Sequence, residues 1–80
     1  MNTKEKMTIK LNDFSDIKKF TNEVSKFEDD IDLVKGRYVI DAKSTMGIFT
    51  LDLSSPVDVV IYSDNKKEIE RFNEVMKEFM

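Results

Sequence analysis

The chain has 80 residues, a formal net charge of −3, and neither cysteine nor histidine. Its length allows one domain, residues 1–80, with a single two-layer core. Hydrophobic residues make up 40% and charged residues 36%, which is too apolar and too evenly charged for a disordered chain. The negative charge excludes the dense positive field that a nucleic-acid backbone requires, so we expect no direct nucleic-acid partner.

The missing residue types exclude several kinds of chemistry. Without cysteine there are no disulfides, thiol nucleophiles or zinc-thiolate sites, which is usual in a reducing cytoplasm. Without histidine there is no phosphohistidine, and the commonest general base and metal ligand are missing. Residues 1–11 contain no long apolar run, so we expect neither a signal peptide nor a membrane span. These features predict a cytoplasmic domain.

The first part of the chain predicts a strand followed by a helix. Residues 7–11 alternate apolar and polar side chains, which is the period of a half-buried strand. Asn12 and Asp13 favour a helix N-terminus, with Asp16 in the first turn. Four apolar residues at spacings of three or four then predict a helix over about residues 14–27. These residues are Ile17, Phe20, Val24 and Phe27.

A β-hairpin and a short helix are expected next. Residues 31–34 favour a strand, residues 35–36 a tight turn and residues 37–42 the second arm. Ser44 is a candidate N-cap for a helix over residues 46–51, and the glycine within it lowers helix propensity by about 1 kcal/mol relative to alanine. One face of the second arm is expected to carry Tyr38, Ile40 and Ala42, and the other face Val39.

The last part of the chain predicts a central strand and a final helix. Residues 57–62 are the most β-branched run and favour a central strand. Asn65 is expected to cap the last helix, with Glu68 in capping-box position. The apolar stripe of this helix consists of Ile69, Phe72, Val75, Met76 and Phe79. The order β-α-β-β-α-β-α predicts an α+β domain with one layer of sheet and one of helices.

The acidic residues do not indicate catalysis. They are scattered, and neither a glycine-rich phosphate loop nor a Gly-x-Ser-x-Gly motif is present, so we expect no enzyme activity and no cofactor. Residues 28–30 offer three carboxylates to a cation such as calcium, but they lack the ligand spacing and glycine of an EF-hand loop. We interpret them as a solvated turn and expect no metal.

Residues 43–47, Lys-Ser-Thr-Met-Gly, resemble the Lys-Ser-Ile-Met-Gly signature of HPr, the small phosphocarrier of the bacterial sugar phosphotransferase system. Residues 25–31 resemble the end of the first HPr helix and the turn after it, and the spacing between the two segments fits without a gap. The resemblance implies the open-faced HPr sandwich, with a four-stranded antiparallel sheet in the order 1-4-2-3 and three helices.

HPr proteins carry their phosphoryl group on a histidine just before the first helix, in a Gly-x-His-x-Arg-Pro context. Counted back from the matched segment, the histidine position falls at Asp13, the arginine at Ser15 and the proline at Asp16. Asp13 and Asp16 would occupy the positive end of the helix dipole and repel a dianionic phosphoryl group. We therefore interpret Asp13 as a helix cap and expect phosphoenolpyruvate-dependent transfer to be lost.

The resemblance makes Ser44 a candidate regulatory phosphorylation site. In HPr of low-GC Gram-positive bacteria a dedicated ATP-dependent kinase phosphorylates the serine of this motif, and the product binds a LacI-type catabolite-control repressor. A phosphate on Ser44 would meet the free N–H groups near Met46 and Gly47, with Lys43 adjacent. The alternative is an ordinary serine N-cap.

The resemblance also implies a hydrophobic surface for protein partners around Ser44, with Ile48 and Leu51 facing inward. The alternative is that its large apolar residues belong to the core. Thr45 replaces the usual isoleucine and makes the surface more polar. The expected partner-binding residues are Lys43, Thr45, Met46, Phe49 and Leu53.

These features predict a non-catalytic regulatory or adaptor protein related to HPr. Its expected partners are proteins, among them HPr kinase and the catabolite-control repressor, with no membrane contact. Two alternatives stay open. One is a member of the phosphoryl relay that is phosphorylated on a group other than histidine, such as Asp13. The other is a plain binding or scaffold domain without phosphorylation.

Overall fold

The computed structural model describes residues 3–80. Residues 1 and 2, the first two of the segment in which we expect no signal peptide, lie outside this range. Within this range strands and helices occur in the predicted order, and a single turn of 3-10 helix, Lys77–Phe79, ends the chain. The strands are β1 (Thr3–Ile9), β2 (Asp30–Lys35), β3 (Tyr38–Asp41) and β4 (Val57–Ser63). The helices are α1 (Phe14–Val24), α2 (Thr45–Ile48) and α3 (Lys66–Met76).

The strands form one antiparallel sheet in the order β1-β4-β2-β3, which confirms the predicted topology. The most β-branched strand, β4, is paired on both sides, as its sequence predicted. Leu33 pairs with Val59 on one side and with Ile40 on the other, so these three side chains share a face. That face packs on the helices, and the opposite face of the sheet carries Asp32 and Asp58 together with the buried Val60.

The core lies between this face and the apolar stripes of α1 and α3. Phe20 on α1 packs edge-to-face against Phe79, with ring centroids 5.6 Å apart. Phe27 packs in the same way against Phe72 on α3, at 5.9 Å. The fully buried side chains include Ile9, Leu11, Phe20, Val24, Ile31, Leu33, Ile48, Val59, Ile61, Phe72 and Met76. The stripes predicted from the sequence therefore form the core, except that Ile69 is half-buried and lies outside the core cluster.

Two helices are shorter than the sequence predicted. α1 ends at Val24, because the amides of Lys26 and Phe27 bond to the carbonyls three residues earlier and tighten the last turn. Phe27 is buried all the same. α2 is a single turn for the same reason, since the amide of Leu51 bonds to the carbonyl of Ile48.

The strand bounds also differ. β1 begins at Thr3 and ends at Ile9, two residues before the predicted end at Leu11. Directly after the strand, the amide of Lys10 donates to the carbonyl of Phe79 at 2.7 Å, and the chain turns away from β4. Leu11 is buried beyond the strand end. The 3-10 turn at the C-terminus thus fixes the position of the chain directly after β1.

The capping box predicted for α3 forms only in part. The Asn65 side chain accepts a hydrogen bond from the amide of Lys67 at 2.9 Å, so Asn65 is the N-cap as expected. The amide of Asn65, however, donates to the Ser63 hydroxyl at 3.1 Å. Glu68 pairs instead with Arg71 at 2.7 Å, because a guanidinium one turn along the helix is a stronger donor for a carboxylate.

Candidate protein-binding surface

The N-terminus of α1 is closed by its own carboxylates. The Asp13 side chain accepts a hydrogen bond from the amide of Asp16 at 2.9 Å, and the Asp16 side chain accepts one from the amide of Asn12 at 2.9 Å. Asp13 has the extended backbone of an N-cap residue, with φ −148° and ψ 179°. At this helix end, both carboxylates therefore serve as acceptors for backbone amides.

Ser44 is the N-cap of α2, in agreement with its predicted structural role. Its hydroxyl accepts a hydrogen bond from the amide of Gly47 at 3.2 Å, and its own amide donates to the carbonyl of Asp41 at 3.0 Å. Ser44 is half-buried. The residue thus joins the end of β3 to the start of the short helix.

Lys43 has a structural contact that the sequence did not indicate. Its amine donates to the carbonyl of Phe27 at 2.7 Å and to the carbonyl of Asp29 at 2.9 Å. These carbonyls lie in the turn between α1 and β2, so the amine ties that turn to the start of α2. The charge expected beside Ser44 is directed to these two carbonyls.

Three large apolar side chains are exposed where α1 and α2 meet. Phe14 is 58% exposed, Met46 84% and Phe49 52%. The rings of Phe14 and Phe49 stack with centroids 5.7 Å apart and planes inclined by 20°, and the amine of Lys18 lies 5.6 Å from the Phe14 ring centroid. Met46 and Phe49 are three residues apart on one helical turn and so project to the same side. We call Phe14, Met46 and Phe49 the aromatic surface.

The other residues expected at this surface divide into two groups. Thr45 is exposed, and Ile48 and Leu51 face inward as predicted. Leu53, expected in the exposed patch, is half-buried and packs against the core. The reason is that the amine of Lys35 on β2 bonds to the carbonyls of Asp52 and Ser55 and draws the loop onto the domain.

Phe14 is the residue that sequence reasoning missed. It lies three residues before Ile17 and therefore continues the apolar stripe of α1 towards its N-terminus. At that end Phe14 stays exposed and stacks on Phe49 instead of entering the core. The signal in the sequence was a large aromatic residue directly after the N-cap.

In the described part of the chain, two ionisable side chains have displaced pKa values, and both lie outside the aromatic surface. Hydrogen bonds from the hydroxyl and amide of Ser54, together with the nearby Lys35 cation, lower the pKa of Asp52. Desolvation on the open face of the sheet and the charge of Asp32 raise the pKa of Tyr62. Among residues 3–80 there is no cluster of three or more histidine, cysteine or acidic residues suited to a metal ion. No helix in that range is long and apolar enough to cross a bilayer.

The comparisons with known proteins agree with this architecture. The family model for the phosphorylation site of the PTS HPr component matches residues 16–80. The crystal structure of HPr-C-His from Thermoanaerobacter tengcongensis is similar in fold, with 23% sequence identity, a TM-score of 0.70 and 91% of each chain covered. A comparison with curated proteins gives no match. The chain therefore belongs to the HPr family of phosphotransferase-system phosphocarriers.

Proposed function

We propose that this chain is a regulatory member of the HPr family that acts by protein contact and carries no phosphoryl group on histidine. The observation that carries the proposal is the aromatic surface, in which three large apolar side chains are exposed together beside the Ser44 cap. Exposed aromatic and methionine side chains suit a surface that adapts to a protein partner. Such a protein would work in the bacterial cytoplasm, where the phosphotransferase system operates.

The chemistry at the start of α1 supports the loss of phosphoryl transfer from phosphoenolpyruvate. The chain contains no histidine, and the resemblance to HPr puts the family's histidine position at Asp13. The Asp13 carboxylate is occupied as an N-cap, and the Asp16 carboxylate lies in the same turn. A phosphoryl group transferred to this position would be repelled by two negative charges at the N-terminus of α1, the end whose positive dipole would otherwise favour an anion.

Ser44 is the proposed switch of this surface. A phosphate on its hydroxyl would add about two negative charges and three acceptor oxygens at the start of α2, next to Met46. The Gly47 amide already points at the hydroxyl, so the phosphate has a backbone donor in place. HPr kinase and a LacI-type catabolite-control repressor are the proposed partners.

The test is the intact mass of the purified protein after incubation with HPr kinase and ATP, and in parallel with enzyme I and phosphoenolpyruvate. We expect one added phosphate with the kinase and none with enzyme I. Ser44→Ala should abolish the gain, and Ser25→Ala should retain it, because Ser25 is an exposed serine at the far end of α1.

The alternatives give different results. Phosphate transferred from enzyme I and released by hydroxylamine would indicate an acyl phosphate, and the chain would then belong to the relay. No phosphate in either sample, with equal repressor binding by Ser44→Ala and Ser44→Asp, would indicate a plain binding domain. Under our proposal the Ser44→Asp variant binds the repressor more tightly than the Ser44→Ala variant. Adding Met46→Lys to either variant weakens its binding to the repressor.

A further inference from the structure

The strand β3 forms one edge of the sheet, and two of its three exposed side chains are apolar, the third being Asp41. Tyr38 is 63% exposed and Val39 59%. No strand of residues 3–80 pairs with its outer side, because β3 ends the sheet order. Natural proteins protect free edges with charge, and the other edge strand, β1, carries Lys4 and Lys6 in this way. The β3 edge lacks lysine between its turn and its last residue.

The register of the hairpin shows which backbone groups face outward. The amide of Ala42 donates to the carbonyl of Ile31 at 2.9 Å, so Ala42 bonds towards β2. In an antiparallel ladder alternate residues bond to the same neighbour, which places Ile40 and Tyr38 in that set. Val39 and Asp41 therefore direct their amides to the open edge.

We propose that β3 pairs antiparallel with β3 of a second copy of this chain, about a two-fold axis centred on Val39. This register places Val39 opposite Val39 and Tyr38 opposite Ile40. It also places Arg37, in the hairpin turn, opposite Asp41 on both sides of the axis. The sheets of two copies would join into one continuous sheet.

In this register the side chains are complementary in both charge and apolar character. Opposite charges and aromatic–β-branched pairs directly across two strands each favour pairing, whereas like charges oppose it. A shift of two residues in either direction places Val39 opposite Arg37 or opposite Asp41, so the two Arg37–Asp41 charge pairs are lost, although an apolar pair, Tyr38 with Tyr38 or Ile40 with Ile40, then lies on the axis. Residues 37–41 of one copy are thus complementary to residues 37–41 of the other.

The backbone donors and acceptors also fit. In this pairing the amide of Val39 in each copy donates to the carbonyl of Val39 in the other, and the amide of Asp41 in one copy donates to the carbonyl of Arg37 in the other. The carbonyl of Asp41 is already used by the amide of Ser44, at 3.0 Å, so it is not needed for the ladder. α2 lies on the helical face of β3, where Gly47 approaches Ile40, and leaves the open face of the edge clear.

The area of a short edge is small, so the dimer belongs to the weak, concentration-dependent class with less than about 1,200 Å² buried. Sedimentation velocity over a range from about 10 µM to about 1 mM should show a reversible monomer–dimer equilibrium. Val39→Lys should weaken it more than tenfold, because two lysines would face each other on the axis. Met46→Lys, on the aromatic surface, should leave it unchanged.

A charge exchange gives the sharpest test. Arg37→Glu and Asp41→Lys should each be monomeric alone, since each homodimer would hold two like-charge pairs. An equal mixture should dimerise, because the introduced glutamate faces the introduced lysine while the native arginine faces the native aspartate. Circular dichroism confirms that each variant is folded. A mixture that stays monomeric while the wild type dimerises overturns the register.

Amide hydrogen exchange supplies a residue-level check on the wild type. Exchange at the Val39 and Asp41 amides should slow as the concentration rises, whereas the Tyr38 and Ile40 amides are already bonded within the hairpin. Equal exchange of Val39 at low and high concentration would overturn the proposal. So would a dimer that is lost in Met46→Lys and kept in Val39→Lys, since that result places the contact at the aromatic surface.

Discussion

Gly47 lies where α2 comes closest to β3. A Cβ atom at this position would stand 2.7 Å from Cγ2 of Ile40 and 3.3 Å from the hydroxyl oxygen of Ser44. Carbon atoms repel one another at 2.7 Å, and the Ser44 hydroxyl oxygen is held in place by the hydrogen bond that it accepts from the Gly47 amide. Gly47 lowers the helix propensity of α2, and it is therefore also the residue whose missing side chain allows α2 to pack against β3.

We expect Gly47→Ala to lower the free energy of unfolding by about 1–3 kcal/mol, the usual range for overpacking, in spite of alanine's better helix propensity. Urea denaturation measures the change. Ile40→Ala removes the opposing methyl group, so the double variant should lose less than the sum of the two single losses. A strictly additive double variant, or a Gly47→Ala protein as stable as the wild type, would contradict the close contact.

The ionisation of Asp52, in the loop after α2, makes the stability of the domain depend on pH. The hydrogen bonds from Ser54 come first among the causes that lower its pKa below the usual 3.8, followed by the Lys35 cation. A group whose folded pKa is depressed contributes stability above its unfolded pKa and loses it as pH falls through the folded value. The contribution of Asp52 is therefore present at neutral pH and disappears in acid.

We expect Asp52→Asn to be less stable than the wild type at neutral pH, because the amide keeps an acceptor oxygen but not the charge. The difference in the free energy of unfolding should shrink as pH falls from about 5 to about 2, when the wild-type carboxylate becomes protonated. Urea denaturation at a series of pH values measures it. A difference that stays constant or grows in acid would show that the charge of Asp52 is not the cause.

At the scale of single elements, each helix begins at a side chain that accepts a backbone amide. Asp13, Ser44 and Asn65 fill this role for α1, α2 and α3, at 2.9, 3.2 and 2.9 Å. All three residue types are strong N-caps, so local chemistry alone decides where the helices start. The ends of α1 and α2 do not follow the sequence pattern in this way, because their last turns tighten into hydrogen bonds between residues three apart.

The cap of α1 predicts a contrast between two substitutions. Asp13→Ala should lower the free energy of unfolding by about 1 kcal/mol, because the Asp16 amide loses its acceptor. Asp13→Asn keeps an acceptor oxygen and should lose at most about half of that, through the weaker interaction with the helix dipole. Thermal and urea unfolding of both variants measure the difference. Equal losses would indicate that the charge, and not the cap, matters at Asp13.

At the scale of the whole molecule, position relative to the core decides what each phenylalanine does. Phe20 and Phe49 are the same residue type in helical segments, yet Phe20 is fully buried and Phe49 is about half exposed. Phe20 packs against Phe79 within the core cluster, whereas Phe49 stacks on Phe14 outside it. One therefore supports the core and the other forms the proposed binding surface.

Phe20→Ala should cost about 3–5 kcal/mol of unfolding free energy, as for other buried phenylalanines. Phe49→Ala should cost about 1 kcal/mol or less, the scale of a single aromatic pair. Under the proposed function, Phe49→Ala should in addition weaken partner binding while the domain stays folded. Chemical denaturation gives the stabilities. Similar losses for the two variants would contradict the assignment of Phe49 to the surface.

The sequence by itself determined the local features of this protein. The period of apolar residues produced the helices and strands in their observed order, and the capping residues marked where helices begin, because both depend on neighbours within one or two turns. The signature at residues 43–47 indicated the family through resemblance, and the strand order followed from that resemblance rather than from the residue pattern.

Only the tertiary structure decided which distant segments meet. The stacking of Phe14 on Phe49, the bonds from the Lys43 amine to the carbonyls of Phe27 and Asp29, and the burial of Leu53 each join residues whose separation in the chain gives no local signal. The exposure of Tyr38 and Val39 likewise follows from the place of β3 at the sheet edge. Burial depends on what packs above a side chain, and that is a property of the whole fold.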